Sequence, residues 1–287
     1  MANTLRRATL AGMHPADMLD HDDPMPPATP AATLVIFRND PAGGAPQLLM
    51  VQRSKAMRFA GGAAVFPGGR VDPADFDLAQ ALGATDLAHA LGAQGDDARD
   101  ELAARIAAVR ETLEETGLAV GFHQRPDLAE ARRARALLLE HGELAPVLAA
   151  LGWTLDLERL VAFSRWRPKH REMRVFDTRF YLADLGTGAV DLAVDDTENT
   201  HLFWASAAEA LAMADRDEIK VIYPTRRNLE RLALFASYGD ALTHVAQFPS
   251  KMITPFMQQR GGQPWLVIPD DAGYPVDGEI LESAARG

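Results

Sequence analysis

Two short apolar runs, ATLVIFR at 32–38 and QLLMVQR at 47–53, bracket the polar and turn-forming NDPAGGAP. That pattern predicts a β-hairpin. AAVFPGGRVD continues as a short strand running into a glycine turn. Residues 76–98 are rich in alanine, leucine and aspartate without strand alternation, and read as a loop with a helical piece. From Arg99 to Thr116 the period changes. Leu102, Ile106, Val109 and Leu113 recur at helical spacing and form one stripe, and Gly117 stands where a helix stops. DLAEARRARALLLEHG predicts a further helix, with EARRARA as its solvated face. RLVAFSRW, VFDTRFYLADL and HLFW predict strands. A helix is expected over 206–214, and another over PTRRNLERLALFASYGD with proline in its first turn. The last forty or so residues, with their prolines and glycines, read as irregular chain wrapped on the domain. Strands alternating with helices predict an α/β sandwich.

Placed on a helical wheel, Glu111, Glu114 and Glu115 of RETLEETG share one face, away from the stripe that holds Leu113. Like charges this close repel by roughly a few tenths of a kcal/mol per pair on an exposed helix. No cation follows until Arg125. The carboxylates are either a solvated face or a site for a hard divalent ion, which would turn repulsion into ligation.

Composition narrows the options. The 287 residues carry a net charge of −11, which argues against binding through a general basic surface, whether to nucleic acid or to an anionic membrane. There are no cysteines, hence no disulfide, thiolate nucleophile or zinc–thiolate site. The eight histidines show no zinc spacing, and His170 reads as a surface residue. Trp166 and Trp204 flank predicted strands and read as packing residues. Residues 1–30 read as a flexible leader, with no signal-peptide core and no apolar run able to span a bilayer anywhere in the chain. A cytoplasmic protein is expected, and the alanine richness suggests a GC-rich bacterial genome.

With the upstream FPGGRVDPAD, the glutamate cluster resembles the Nudix box: a glycine, five residues, a glutamate, seven residues, then Arg-Glu-x-x-Glu-Glu-x-Gly and an aliphatic residue. Arg110, Glu111, Glu114, Glu115, Gly117 and Leu118 match its second half, and Gly69 its start. Two departures stand out. Asp75 replaces the first glutamate, and 35 positions separate it from Arg110 where the family has 8, an insertion of 27 residues. Loop closure grows only slowly costlier with length, so a surface excursion there is tolerable. RSKAMRFAGGAAVFPGG places Arg53, Arg58, Gly62 and Phe66-Pro67-Gly68-Gly69 at the intervals of the segment that Nudix coenzyme A hydrolases carry before their box, with Met50 and Val51 departing from it. RWRPKHREMRVFDTRFYLA is similar to another stretch of that branch, with Val175 in place of an arginine.

The resemblance implies an α/β/α Nudix sandwich with a mixed sheet, spanning 31–240, interrupted by an insertion at 76–98 and followed by a C-terminal extension, 241–287, packed on the domain. It implies Mg²⁺ or Mn²⁺ held by Glu111, Glu114 and Glu115, with Glu115 the principal ligand. Arg110 would pair with a box glutamate and hold these carboxylates in position. Gly68 and Gly69 would let the backbone approach metal or phosphate, Arg53 and Arg58 would bind substrate phosphates, and Glu198 would be the general base. The implied partner is a small nucleotide, with coenzyme A or an acyl-CoA foremost. ADP-ribose, dinucleotides and capped RNA remain as alternative substrates, a non-catalytic nucleotide sensor as an alternative role, and a homodimer as the family's common assembly.

Overall fold

Strand β1 (Ala28–Arg38) is the spine of the sheet. Its Leu34 and Ile36 join one hydrophobic cluster while Val35 and Phe37 join another, and all four are almost completely buried. Successive residues of a strand point to opposite faces, so a run that is apolar on both belongs to a sheet covered on both sides. The computed structural model describes residues 24–53, 62–83, 96–169, 175–186 and 199–284.

β1 is flanked on one side first by β4 (Gly68–Arg70) and then by β2 (Gln47–Arg53), both antiparallel. On its other side it runs parallel to β6 (Val175–Asp184), from Ala28 opposite Val175 to Phe37 opposite Asp184. The eight-stranded mixed sheet is completed by β3 (Ala64–Val65) and β7 (Asn199–Ser206) on β2, by β5 (Val161–Trp166) on β6, and by β8 (Met252–Ile253) on β5.

Helices α1 (Pro73–Ala81), α2 (Asp96–Thr116), α3 (Leu128–His141) and α4 (Leu144–Leu151) contribute to the cluster on one face. Helices α5 (Ala207–Asp215), α6 (Tyr223–Leu232) and α7 (Tyr238–Gln247) contribute to the cluster on the other. The expected α/β/α sandwich is therefore present. Trp166 lies fully inside the second cluster, as a packing residue.

The stripe Leu102, Ile106, Val109 and Leu113 is wholly buried, and so are Ala103, Ala104, Ala107 and Ala108. Alanines let neighbouring elements approach α2 closely on a second side, where α1 and α3 pack. Gly117, at φ +73°, donates its N–H to the Leu113 carbonyl at 3.0 Å and ends the helix in a left-handed turn.

Several expectations need correction. β1 begins at Ala28, inside the segment expected as leader. The helical piece expected within 76–98 is present in α1, which starts earlier, at Pro73, and α2 begins at Asp96, three residues before the expected Arg99. The single helix expected over 224–240 is two, because the Ser237 hydroxyl accepts the Asp240 N–H at 3.1 Å and caps a new start. α7 then runs across the boundary expected at 240/241. The C-terminal residues are not irregular: β9 (Phe256–Arg260), β10 (Gln263–Val267) and β11 (Gly278–Ile280) form a three-stranded sheet, followed by α8 (Leu281–Ala284). Leu266, Ile268 and Leu281 of this segment are part of the second cluster. Among the described residues, no helix is long and apolar enough to cross a membrane.

Candidate active site

The glycine pair of β4 and the last turns of α2 fit against each other with no room for a side chain. A Cβ on Gly69 would stand 2.4 Å from the Glu111 carboxylate. One on Gly68 would stand 2.3 Å from the Ala32 carbonyl oxygen, at a φ of +154°. Gly68 is required by the backbone it meets, while at Gly69 a side chain would have to push the Glu111 carboxylate aside. The contact also supplies a bond, since the Gly68 N–H donates to Glu115 Oε2 at 3.0 Å. Glu115 is thus a buried carboxylate anchored to the loop that faces it.

Arg110 organises the other side. Its guanidinium grips Asp75 through Nε and Nη2, each at 3.0 Å, and donates from Nη2 to the Arg70 carbonyl at 2.9 Å. Nη1 reaches Glu111 Oε1 at 3.0 Å and lies 3.6 Å from Glu114. Asp75 and Arg110 are both buried. The principal partner of Arg110 is thus the aspartate standing where the family has its first glutamate, with Glu111 the second. Asp75 also accepts the Asp72 N–H at 2.9 Å, and Pro73 opens α1. The DPAD stretch therefore starts a helix and presents a carboxylate to α2 with the same residue.

Burial, countered by Arg110 and reinforced by the neighbouring Glu115 and Glu114, pushes the Glu111 carboxyl up to about 8. Such a proton marks a site short of positive charge, and a divalent cation supplies that charge. Carboxylate oxygens are the donors Mg²⁺ and Mn²⁺ take, and Mg²⁺ needs only one or two of them besides water and substrate phosphates. The donor set fits in kind. Among the described residues, however, no three acidic or histidine side chains converge as a metal-holding group. Glu111 and Glu114 turn toward Arg110, and Glu115 toward Gly68.

The structure therefore brings Gly68, Gly69, Arg110, Glu111, Glu114 and Glu115 together. Arg53 closes β2, with its N–H on the Ala63 carbonyl at 3.0 Å and its position opposite Asn199 of β7. Arg58, Glu198 and His170 lie outside the described residues. One contributor escaped the sequence reading. Arg135, within the stretch expected as a solvated face, donates from Nε to the Glu114 main-chain carbonyl at 2.8 Å and ties α3 to the last turn of α2.

No family model matches the chain. The crystal structure of a NUDIX hydrolase from Alicyclobacillus acidocaldarius superposes with a TM-score of 0.64 at 28% identity, over 77% of this chain and 97% of that one. The acyl-coenzyme A diphosphatase NUDT19 of Gallus gallus is 30% identical over 237 residues. The chain belongs to the Nudix superfamily. Within it, the chain resembles the coenzyme A diphosphatase branch. The alignment with the chicken protein takes in 68% of this chain and spans 63% of that relative's length. α2 is then the Nudix helix, and the glycine pair, which precedes it in the chain with α1 and the insertion in between, meets it in space.

Proposed function

We propose that this Nudix protein is a metal-dependent hydrolase of nucleoside diphosphate-linked substrates, and that its substrate is coenzyme A or an acyl-CoA, cleaved to 3′,5′-ADP and (acyl-)4′-phosphopantetheine. The observation that carries the reading is the closed contact between the Gly68–Gly69 loop and Glu111 and Glu115, with Arg110 pinned behind them. The coenzyme A assignment draws on the Arg53-to-Gly69 spacing and on the similarity to the chicken acyl-coenzyme A diphosphatase.

A bound Mg²⁺ or Mn²⁺ neutralises diphosphate charge and acidifies water. Glu115, Glu111 and Glu114 would hold that ion, once Glu111 and Glu114 turn from Arg110 toward it. Arg110 sets the orientation of Glu111 through a bond it can direct only because Asp75 fixes its other two nitrogens. The Gly68–Gly69 backbone, bare of side chains, lets the diphosphate come close. Arg53 and Arg58 take substrate phosphates, and Glu198 accepts the proton of the attacking water.

The test is Glu115→Gln assayed with Mn²⁺ on coenzyme A, an acyl-CoA, ADP-ribose and a dinucleotide, with products identified by mass spectrometry. Glutamine keeps an acceptor for the Gly68 N–H, so the melting temperature stays within a few degrees while turnover falls by orders of magnitude. Wild-type protein inert toward the whole panel would sink the hydrolase reading, and cleavage of ADP-ribose alone would sink the coenzyme A assignment.

A further inference from the structure

At the start of the Nudix helix, about ten residues before Glu111, three arginines of β5, β6 and the segment after β5 gather around fewer firmly bound acids among the described residues. Arg165 clasps Asp177 in a two-pronged pair at 2.7 and 2.8 Å. Arg167 lies 3.9 Å from the same carboxylate, donates from Nη2 to the Pro26 carbonyl at 3.0 Å, and among the described residues finds no partner for its buried Nε. Arg179 pairs with Glu101 at 3.2 Å, but Glu101 is also held by Arg105 at 2.9 Å. Among the described residues, what remains between Arg165 and Arg179 is the carboxylate of Asp97, at 3.8 and 3.7 Å from their nitrogens. Those distances exceed a hydrogen bond, and the Asp97 side chain is 69% exposed.

The geometry points to an anion-binding site formed by Arg165, Arg167 and Arg179 that takes a phosphate monoester, with Asp97 as the loosely held group the phosphate displaces. Three guanidiniums facing Asp177 and a Glu101 that Arg105 also holds suit a dianion better than another single charge, and the planar fork of arginine matches phosphate oxygens. The site is not the diphosphate site itself. Ten residues of helix separate Glu101 from Glu111, about 15 Å at the usual rise. Across the sheet, Gly69 and Arg179 face Ala32 from opposite sides, two strand spacings or roughly 10 Å apart. A second phosphate is therefore what the patch accepts, either one carried by the substrate or a free one. Only the first of these sources rests on the reading given under Proposed function.

Two variants and two probes test it. Calorimetry with inorganic phosphate is expected to show binding to the wild type. Binding should be weaker by about tenfold in Arg167→Gln, since a charge-assisted hydrogen bond is worth roughly that factor or more. It should be tighter in Asp97→Asn, where the competing carboxylate is gone. A purely structural role for Asp97 would give no gain, so unchanged phosphate affinity in both variants overturns the site. KM for coenzyme A, compared with its analogue lacking the ribose 3′-phosphate, identifies the source. A wild-type preference erased by Arg167→Gln assigns the substrate's own phosphate, and an unchanged preference beside altered phosphate binding assigns a free one. Phosphate binding that follows the variants in a protein inert toward every diphosphate leaves the site standing and removes only the proposed hydrolysis.

Discussion

Replacing Arg110 by methionine separates what the buried guanidinium does for the fold from what it does for the site. The substitution leaves Asp75, whose side chain is 2% exposed, as a buried carboxylate without its cation. Removing one partner of a buried ion pair costs about 3–5 kcal/mol, largely as the penalty on the survivor. The Asp72 N–H still bonds Asp75, which places the expectation toward the lower end of that range. For a chain of this size that corresponds to a fall of roughly 10 °C in melting temperature. In the double variant Arg110→Met/Asp75→Leu both charges are gone, and apolar groups of similar size fill the space. Replacing a whole buried pair in this way is often neutral or better, so most of the lost stability should return. Turnover should not return. Glu111 would still lack the Nη1 donor at 3.0 Å that directs it, and the carboxylate would be free to leave the position where it faces Gly69. Thermal denaturation and diphosphate hydrolysis measured on the same preparations read the two effects. The reasoning fails if Arg110→Met melts within a degree of the wild type. It fails equally if the double variant recovers both its melting temperature and its turnover.

Other expectations rest on the same contacts. Gly69→Ala pushes its new methyl into a side-chain carboxylate that can swing aside, so activity should drop at least tenfold with a melting temperature close to wild type. Gly68→Ala meets the Ala32 backbone instead, which cannot yield cheaply, and should destabilise by about 3 kcal/mol or prevent folding, as denaturant titration would reveal. Glu111 gives a pH dependence. Its carboxyl is raised to about 8 in the folded chain by burial, so the metal-free protein holds a proton that the unfolded chain releases at the ordinary glutamate value. The associated stability is complete below that ordinary value, declines as pH rises, and is lost once pH passes about 8. A divalent ion must displace the same proton. Apparent Mn²⁺ affinity should therefore rise about tenfold per pH unit between 6 and 8 and level off above, and calorimetry at a series of pH values showing no slope would refute this.

What could be read from the chain divides by the range of the interaction that fixes it. The stripe of α2, its Gly117 stop and the shared face of Glu111, Glu114 and Glu115 follow from a 3.6-residue period, and twenty consecutive residues suffice to display it. The strands of the C-terminal sheet do not announce themselves in this way. FMQQR and QPWLV carry too little alternation, and their identity comes from pairing with each other and from Leu266 and Ile268 seating in a cluster that also draws on residues as distant as Val35, Phe66 and Phe163. The break between α6 and α7 is present in the sequence as Ser237 and Asp240, but the apolar residues Leu229, Leu232 and Phe235 at helical spacing mask a cap of two residues. The candidate site shows the same division within a few ångströms. Its acids were legible as a local pattern. Their orientation was not, because Asp75 reaches Arg110 from 35 residues away, Gly68 reaches Glu115 from 47, and Arg135 reaches the Glu114 carbonyl from 21. Arg165 and Asp177 are a further case, since only the register of β5 on β6 turns two charges in a basic stretch into a clasped pair. Spacing thus names the groups that can do chemistry. Register and packing decide which way each of them points, and for carboxylates proposed as metal ligands that direction decides what they can reach.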